Sequence, residues 1–274
     1  MIFVLLLLLI ILVYYCYTTY VDLYVRTEEI SNTDWSDSWT SLDFKARENI
    51  DCRPIAKVYE NLGLSNVWIY TVPSSCENGL PHTRDYNVIA IPNGSSIFDR
   101  QRIIRHEKIH LNQRLYPNKW KDFYKTYWDY ELFATLPTNV NVTMPYNLIK
   151  MKRANPDTKN VSFCRWKKKW WTVPVYKDIN DLKFDNCIIK WWNEETNEIL
   201  LNPPKEWTDF FGTFSNDKET EHPHEISAAY LEKINNRYNK LSLAQDILFK
   251  MWDNKYEMLN SCKSCNNIST NKSN

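Results

Sequence analysis

The chain carries no surplus of either charge. Its 34 Lys and Arg face 33 Asp and Glu, a net charge of +1 over 274 residues. That removes the global electrostatic case for a nucleic-acid partner, and none is expected. Glycine is nearly missing, with Gly63, Gly79, Gly94 and Gly212 the whole supply. There is no internal repeat and no compact disulfide framework. Seven cysteines are widely spaced. Cys16 lies in an apolar N-terminal run, and Cys52, Cys76, Cys164, Cys187, Cys262 and Cys265 form an even set that three disulfides would use up, with the pairing open. Cys262-Lys-Ser-Cys265 has no second Cys-x-x-Cys to complete a zinc knuckle, so it reads as a disulfide or two thiols in a polar tail. Histidine is scarce as well, with five in the chain.

What is present starts with apolar and aromatic residues. Residues 2–13 are an unbroken apolar run, extended by Tyr14 to Val21, with no charge before Asp22. At about 20 residues the whole is long enough to span a bilayer. It lacks a basic n-region and a small-x-small cleavage site, so it reads as an uncleaved signal-anchor rather than a cleaved signal peptide. The acidic residues that follow (Asp22, Glu28, Glu29, Asp34, Asp37) and sequons at Asn93, Asn141, Asn160, Asn267 and Asn271 favour a non-cytosolic body. The expected layout is a transmembrane segment at 1–21 contacting lipid through residues 2–21, a polar linker at 22–45, a folded body at 46–259 and a polar tail at 260–274. That describes a single-pass protein of a virion or host membrane.

Within the body, Pro54 to Leu62 has helical spacing of Ile55, Val58, Tyr59 and Leu62 and predicts a helix ended by Gly63. Residues 66–72 and 86–91 are β-branched and aromatic and predict strands, with a loop at 76–84. Ser95 or Ser96 caps a helix with Asp99 in its first turn, and Pro117 ends it. An aromatic helix is expected over Trp120 to Leu136 and irregular chain over 137–160. Strands are expected at 164–176 and 186–192, and helices at 223–231 and 243–258.

The helix that Ser96 opens contains Arg105-His-Glu-Lys-Ile-His-Leu-Asn-Gln113. Positions i and i+4 lie about 40° apart around a helix and one turn along it. His106 and His110 can therefore share one zinc ion. Glu107 beside them can reach a zinc-bound water without ligating the metal, the place of a general base. Gln113 or Asn112 can accept from a ligand histidine's other nitrogen. A catalytic zinc needs a third protein ligand and an open position. No further histidine follows before His222, so the ligand must be remote. Two carboxylates compete, Glu131 in Glu-Leu-Phe-Ala134 and Glu225 in Pro223-His-Glu-Ile-Ser-Ala228. Each has an alanine three positions on, small enough for close helix approach.

His106-Glu-x-x-His110 with a distant Pro-x-Glu-x-x-Ala resembles the gluzincin class of zinc metallopeptidases. His222-Pro-His-Glu-Ile-Ser-Ala also resembles a variety found among uncharacterised proteins of large DNA viruses. The resemblance spans roughly residues 55–235 in layout, with only the two short motifs specific. It implies an α+β, zincin-like domain with an aromatic-rich insertion around 118–220. His106, His110 and Glu225 would then be zinc ligands and Glu107 the base, and the activity that of a zinc metalloendopeptidase acting on peptide or protein substrates. Glu131 stays open as the alternative third ligand. His222, His224 and Tyr230 flank the distal motif and are candidates to stabilise the tetrahedral transition state. A membrane-anchored zincin that binds without turnover is the alternative function. Lys167-Lys-Lys169 between Trp166 and Trp170 reads as a strand with a solvated basic turn.

Overall fold

Cross-strand pairing shapes the N-terminal half. The computed structural model describes residues 10–12, 40–48, 50, 52–61, 66–84, 87–214, 216–233 and 241–261. The chain is α+β with two sheets. The first holds β1 (Ala56–Asn61), β2 (Asn66–Val72), β3 (His82–Arg84) and β4 (Val88–Pro92) in the order β1-β2-β4-β3. β2 and β4 run parallel, while β1 and β3 are antiparallel edges. β1 replaces the helix expected over 54–62. Tyr59 sits opposite Trp68, with ring centroids 4.8 Å apart, and Lys57 lies over Tyr70. These side-chain pairs favour a strand over the helical spacing of its apolar residues. Ile55, Val58 and Tyr59 remain exposed, so the spacing does not mark a buried helical face. β3 likewise adds a strand inside the expected 76–84 loop.

The helices are α1 (Ser41–Arg47), α2 (Ile97–Leu115), α3 (Pro117–Tyr127), α4 (Thr138–Thr143), α5 (Tyr146–Lys150), α6 (Lys205–Phe211), α7 (Pro223–Leu231) and α8 (Leu243–Ser261). The second sheet is an antiparallel meander of β5 (Tyr130–Phe133), β6 (Phe163–Trp166), β7 (Trp170–Tyr176), β8 (Cys187–Asn193) and β9 (Ile199–Leu200). The helix expected over 120–136 stops early. Trp128 caps it, Asp129 takes φ 56°, and the chain re-enters as β5. Between α3, α7, α8 and this sheet lies the main core. It includes Tyr124, Trp128, Trp166, Trp191, Trp207 and Phe211, and the Trp207 indole N–H donates to Tyr130 Oη at 2.8 Å. The unusual aromatic content is thus spent on a core that takes in both α3 and the meander.

α1 occupies the end of the expected linker. Thr40 caps it through a reciprocal pair with Asp43, and Asp43 is fully buried, accepting from the Ala154 N–H and the Tyr176 hydroxyl. Cys52 and Cys76 are joined by a disulfide, whereas Cys164 and Cys187 are buried free thiols. Three disulfides are therefore not formed from the six cysteines. Cys16, Cys262 and Cys265 lie outside the described residues.

The membrane-spanning helix expected over 1–21 is not found. Among the described residues no helix is long and apolar enough to cross a membrane. Of that segment only residues 10–12 are described, and they are helical; its other positions, with 22–39 of the linker and 262–274 of the tail, lie outside the described residues. The strictly apolar stretch 2–13 is short of the roughly 20 residues a bilayer core requires, and reaches that length only by counting Tyr14 to Tyr20. The single-pass membrane placement does not stand.

Candidate metal centre

α2 is held from two sides. The Ser96 hydroxyl accepts the Asp99 N–H at 3.1 Å, and Tyr116 before Pro117 leaves helical geometry at φ −128°, ψ 52°. Ile103, Ile104 and Leu111 pack on Val67, Ile69, Ile89 and Ile91 of the first sheet, while Ile109 joins the aromatic core. His106 and His110 share another side of the helix, with ring centroids 4.9 Å apart.

α7 crosses close to that side. Ser227 and Ala228 are fully buried, so small side chains set the helix separation. Glu225, in the first turn of α7, places Oε2 at 3.3 Å from His106 Nε2 and 3.5 Å from His110 Nε2. Zinc–ligand bonds of about 2.0–2.1 Å at tetrahedral angles put neighbouring donor atoms about 3.3–3.5 Å apart. The three residues therefore fit a zinc ion. His110 Nε2 is buried with no hydrogen-bond partner, an orphan that a metal would satisfy.

The outer nitrogens fix the rings. His110 Nδ1 lies 2.8 Å from Gln113 Oε1 and His106 Nδ1 lies 3.1 Å from Glu232 Oε2, so each Nδ1–H is anchored and each Nε2 faces inward. Gln113 is fixed in turn, donating to Ser227 Oγ at 2.9 Å and to the His224 carbonyl at 3.1 Å. The Asn155 amide donates to Glu225 Oε1 at 2.9 Å and also to Glu221. Asn112 is used elsewhere, accepting from the Trp120 indole N–H. Replacing Gln113 by Ala or Glu232 by Gln is expected to weaken zinc binding about 10- to 100-fold, measured by competition with a chromogenic chelator. Unchanged affinity in both would remove these residues from the metal's support.

Burial disfavours charge on the histidines. Glu225 and Glu232 outweigh it at His106 and Glu225 outweighs it at His110, raising the first well above the ordinary imidazole value and the second to about 9. Burial pushes the Glu225 carboxyl upward, but the nearby His110 charge and the hydrogen bond from the His106 ring hold it well below the usual range. A divalent cation would take the place of those protons. Glu107 is 2% exposed, and its Oε2 has no hydrogen-bond partner. Burial, then the Asp157 charge, raise its pKa to about 8 against the pull of the two histidines.

The other expected residues lie elsewhere or are otherwise engaged. Glu131 is on strand β5, where Arg165 holds its Oε2 at 2.7 and 3.1 Å, and it is not among the residues brought to the imidazoles. Its Glu-x-x-Ala spacing has no helix to act on. His222 caps α7: Nδ1 accepts the His224 N–H at 3.1 Å and Nε2 donates to the Val161 carbonyl at 2.8 Å. Both nitrogens are thus committed, and burial lowers its pKa to about 3. His224 is buried against Tyr124, with Nδ1 3.4 Å from the Asp157 carbonyl. Burial, then the neighbouring His222, hold it well below the imidazole range, so it is no cationic partner for an oxyanion. Tyr230 donates to the Phe211 carbonyl at 2.5 Å inside the aromatic core. His222 and Tyr230 thus each spend their donor on a backbone carbonyl.

Sequence reasoning missed Glu232, Asn155 and Asp157. Glu232 was findable, since it follows Glu225 by seven residues, two turns along one helix face. Asn155 caps and Asp157 lies within a single 3-10 turn that is remote in sequence from both motifs, and nothing in either motif marks them. Asp157, Glu107 and His110 bring potential ligand atoms within 4.8 Å of one another. Comparison of the chain with family models, with curated proteins and with solved structures returns no match. The geometry therefore stands by itself.

Proposed function

We propose that the chain is a zinc-dependent hydrolase of peptide bonds. The observation that carries this is the convergence of His106 Nε2, His110 Nε2 and Glu225 Oε2 at zinc-ligand spacing, with both Nδ1 nitrogens anchored. Zinc bound there would polarise a carbonyl and bring the pKa of a water toward neutrality. Glu107, buried beside the ligands with one free oxygen, would take the proton of the attacking water and return it to the departing amine. Asn155, Glu232 and Gln113 keep the donor set in place. A cleft of about 210 Å³ reaches His106, Glu107 and Glu225 and gives a substrate access.

One observation favours an inert zinc protein instead. Asp157 lies near Glu107 and His110, and a fourth protein ligand would close the position that catalysis needs open. Asp157 Oδ1 already accepts from the Thr83 N–H and hydroxyl, which ties it to β3. The full chain purified without chelators is expected to hold about one zinc and to cut members of a quenched-fluorescence peptide library. Chelation should abolish cutting and zinc should restore it. A zinc-loaded chain that cuts nothing would leave the inert reading.

A further inference from the structure

In the cleft beside the candidate zinc site the cations already face carboxylates, Arg102 at Glu232, Arg153 at Glu221 and Lys218 at Asp185, and several acceptors are left over. Four of its lining residues carry a buried side-chain atom without a hydrogen-bond partner: His82 Nε2, Glu107 Oε2, Glu219 Oε2 and Glu232 Oε1. Glu107 belongs to the candidate catalytic centre, and the other three offer acceptors. His82 shows why for the one ambiguous case. Its Nδ1 lies 3.0 Å from the Leu80 carbonyl, which can only accept, so Nδ1 carries the proton and Nε2 a bare lone pair. His82 is 2% exposed. Glu232 Oε1 has cations only at 3.7 Å (Arg102) and 3.8 Å (Lys233), beyond hydrogen-bonding distance. An orphaned buried acceptor is costly, and a bound donor relieves it.

The same cleft is closed along its strand edge. β3 is the outer strand of the first sheet, where an extended peptide would add by main-chain pairing. Its middle residue is already occupied. The Thr83 N–H donates to Asp157 Oδ1 at 2.8 Å, and its carbonyl accepts from Arg114 at 3.2 Å. Arg114 also holds the Pro156 carbonyl at 2.9 Å, and Asn155 is tied to Glu225. Pro156, Asp157 and Thr158 are buried, so this turn is a fixed wall.

We propose that the cleft binds its substrate through a cationic hydrogen-bond donor, an ammonium or guanidinium group met by Glu219, Glu232 and His82, and does not take a peptide strand laid along β3. The inference deepens the peptidase reading by naming its substrate class, and rests on that reading only for the reaction that follows binding. The donor comes from a free amino terminus or from a Lys or Arg side chain.

Calorimetry on the zinc-loaded full chain carrying Glu107→Gln tests it without turnover. One probe pair is alaninamide against N-acetyl-alaninamide, the other N-acetyl-lysinamide against N-acetyl-norleucinamide. In at least one pair the cationic probe should bind tenfold or more tighter than its neutral partner, and the pair that discriminates names the source. Adding Glu219→Gln should shrink that ratio several-fold. Equal affinities within both pairs, or no binding by any probe, would overturn the proposal. A neutral, doubly blocked decapeptide is expected not to bind, and its tight binding would overturn the closed edge. A failure of hydrolysis in the wild-type chain is read separately and bears on the reaction alone.

Discussion

Glu107→Gln is expected to leave about one zinc per chain and to lower kcat for peptide hydrolysis by about a hundred- to ten-thousand-fold, the usual worth of a positioned acid–base group. The amide is nearly the same size, so the buried pocket around residue 107 stays filled. It cannot take a proton from water at neutral pH. Zinc stays because its proposed ligands are His106, His110 and Glu225, and Glu107 is not one of that set. Steady-state kinetics and metal content on one preparation decide the matter. Full activity with zinc present would take the base away from Glu107 and leave the chemistry without a proton carrier.

The second large effect is expected at Glu77, which belongs to neither zinc motif. Its carboxylate is 3% exposed and takes a paired contact from Arg47, Nε at 2.8 Å and Nη2 at 2.7 Å, with Arg84 Nη2 at 3.5 Å. Burial alone would raise the Glu77 pKa. The Arg47 charge and hydrogen bonds, then Arg84, hold it far below the usual carboxylate range. Glu77→Ala removes the carboxylate that both guanidinium groups face and should cost about 3–5 kcal/mol of stability, as breaking a buried pair does. The pH dependence has a definite sign. A depressed folded pKa gives stabilisation that is complete above the unfolded value near 4.3 and is lost as pH falls below it. Urea midpoints should therefore drop between pH 6 and pH 3 more steeply in the wild-type chain than in Glu77→Gln. Parallel drops would show that the Arg47–Glu77 pair contributes little net stability.

These two sites differ in how far the sequence announces them. α2 is legible because its signals are local. Ser96 and Asp99 open it, Pro117 closes it, and His106 and His110 share a side by spacing alone. α7 is legible for the same reason, with His222 and Pro223 at its start. β1 was not, because its partners Trp68 and Tyr70 lie on the neighbouring strand and override the helical spacing of Ile55, Val58 and Tyr59. Glu131 competed with Glu225 only while 120–136 read as one helix. The left-handed turn at Asp129 puts it on a strand facing Arg165. The Arg47–Glu77–Arg84 cluster and the Asn155–Thr158 wall are long-range contacts from segments without periodicity, so no window of sequence contains them. The apolar N-terminal run shows the converse: residue type is legible there, but length sufficient for a bilayer depends on whether tyrosines are counted.

The most direct test of the centre is the zinc content of two variants compared with the wild-type chain. Each is purified in chelator-free buffer, confirmed folded by circular dichroism, and measured by atomic emission. Glu225→Ala should fall from about one zinc per chain to a small fraction of that, and Glu131→Ala should match the wild type. Zinc retained in Glu225→Ala, or lost in Glu131→Ala, would contradict the site formed by His106, His110 and Glu225.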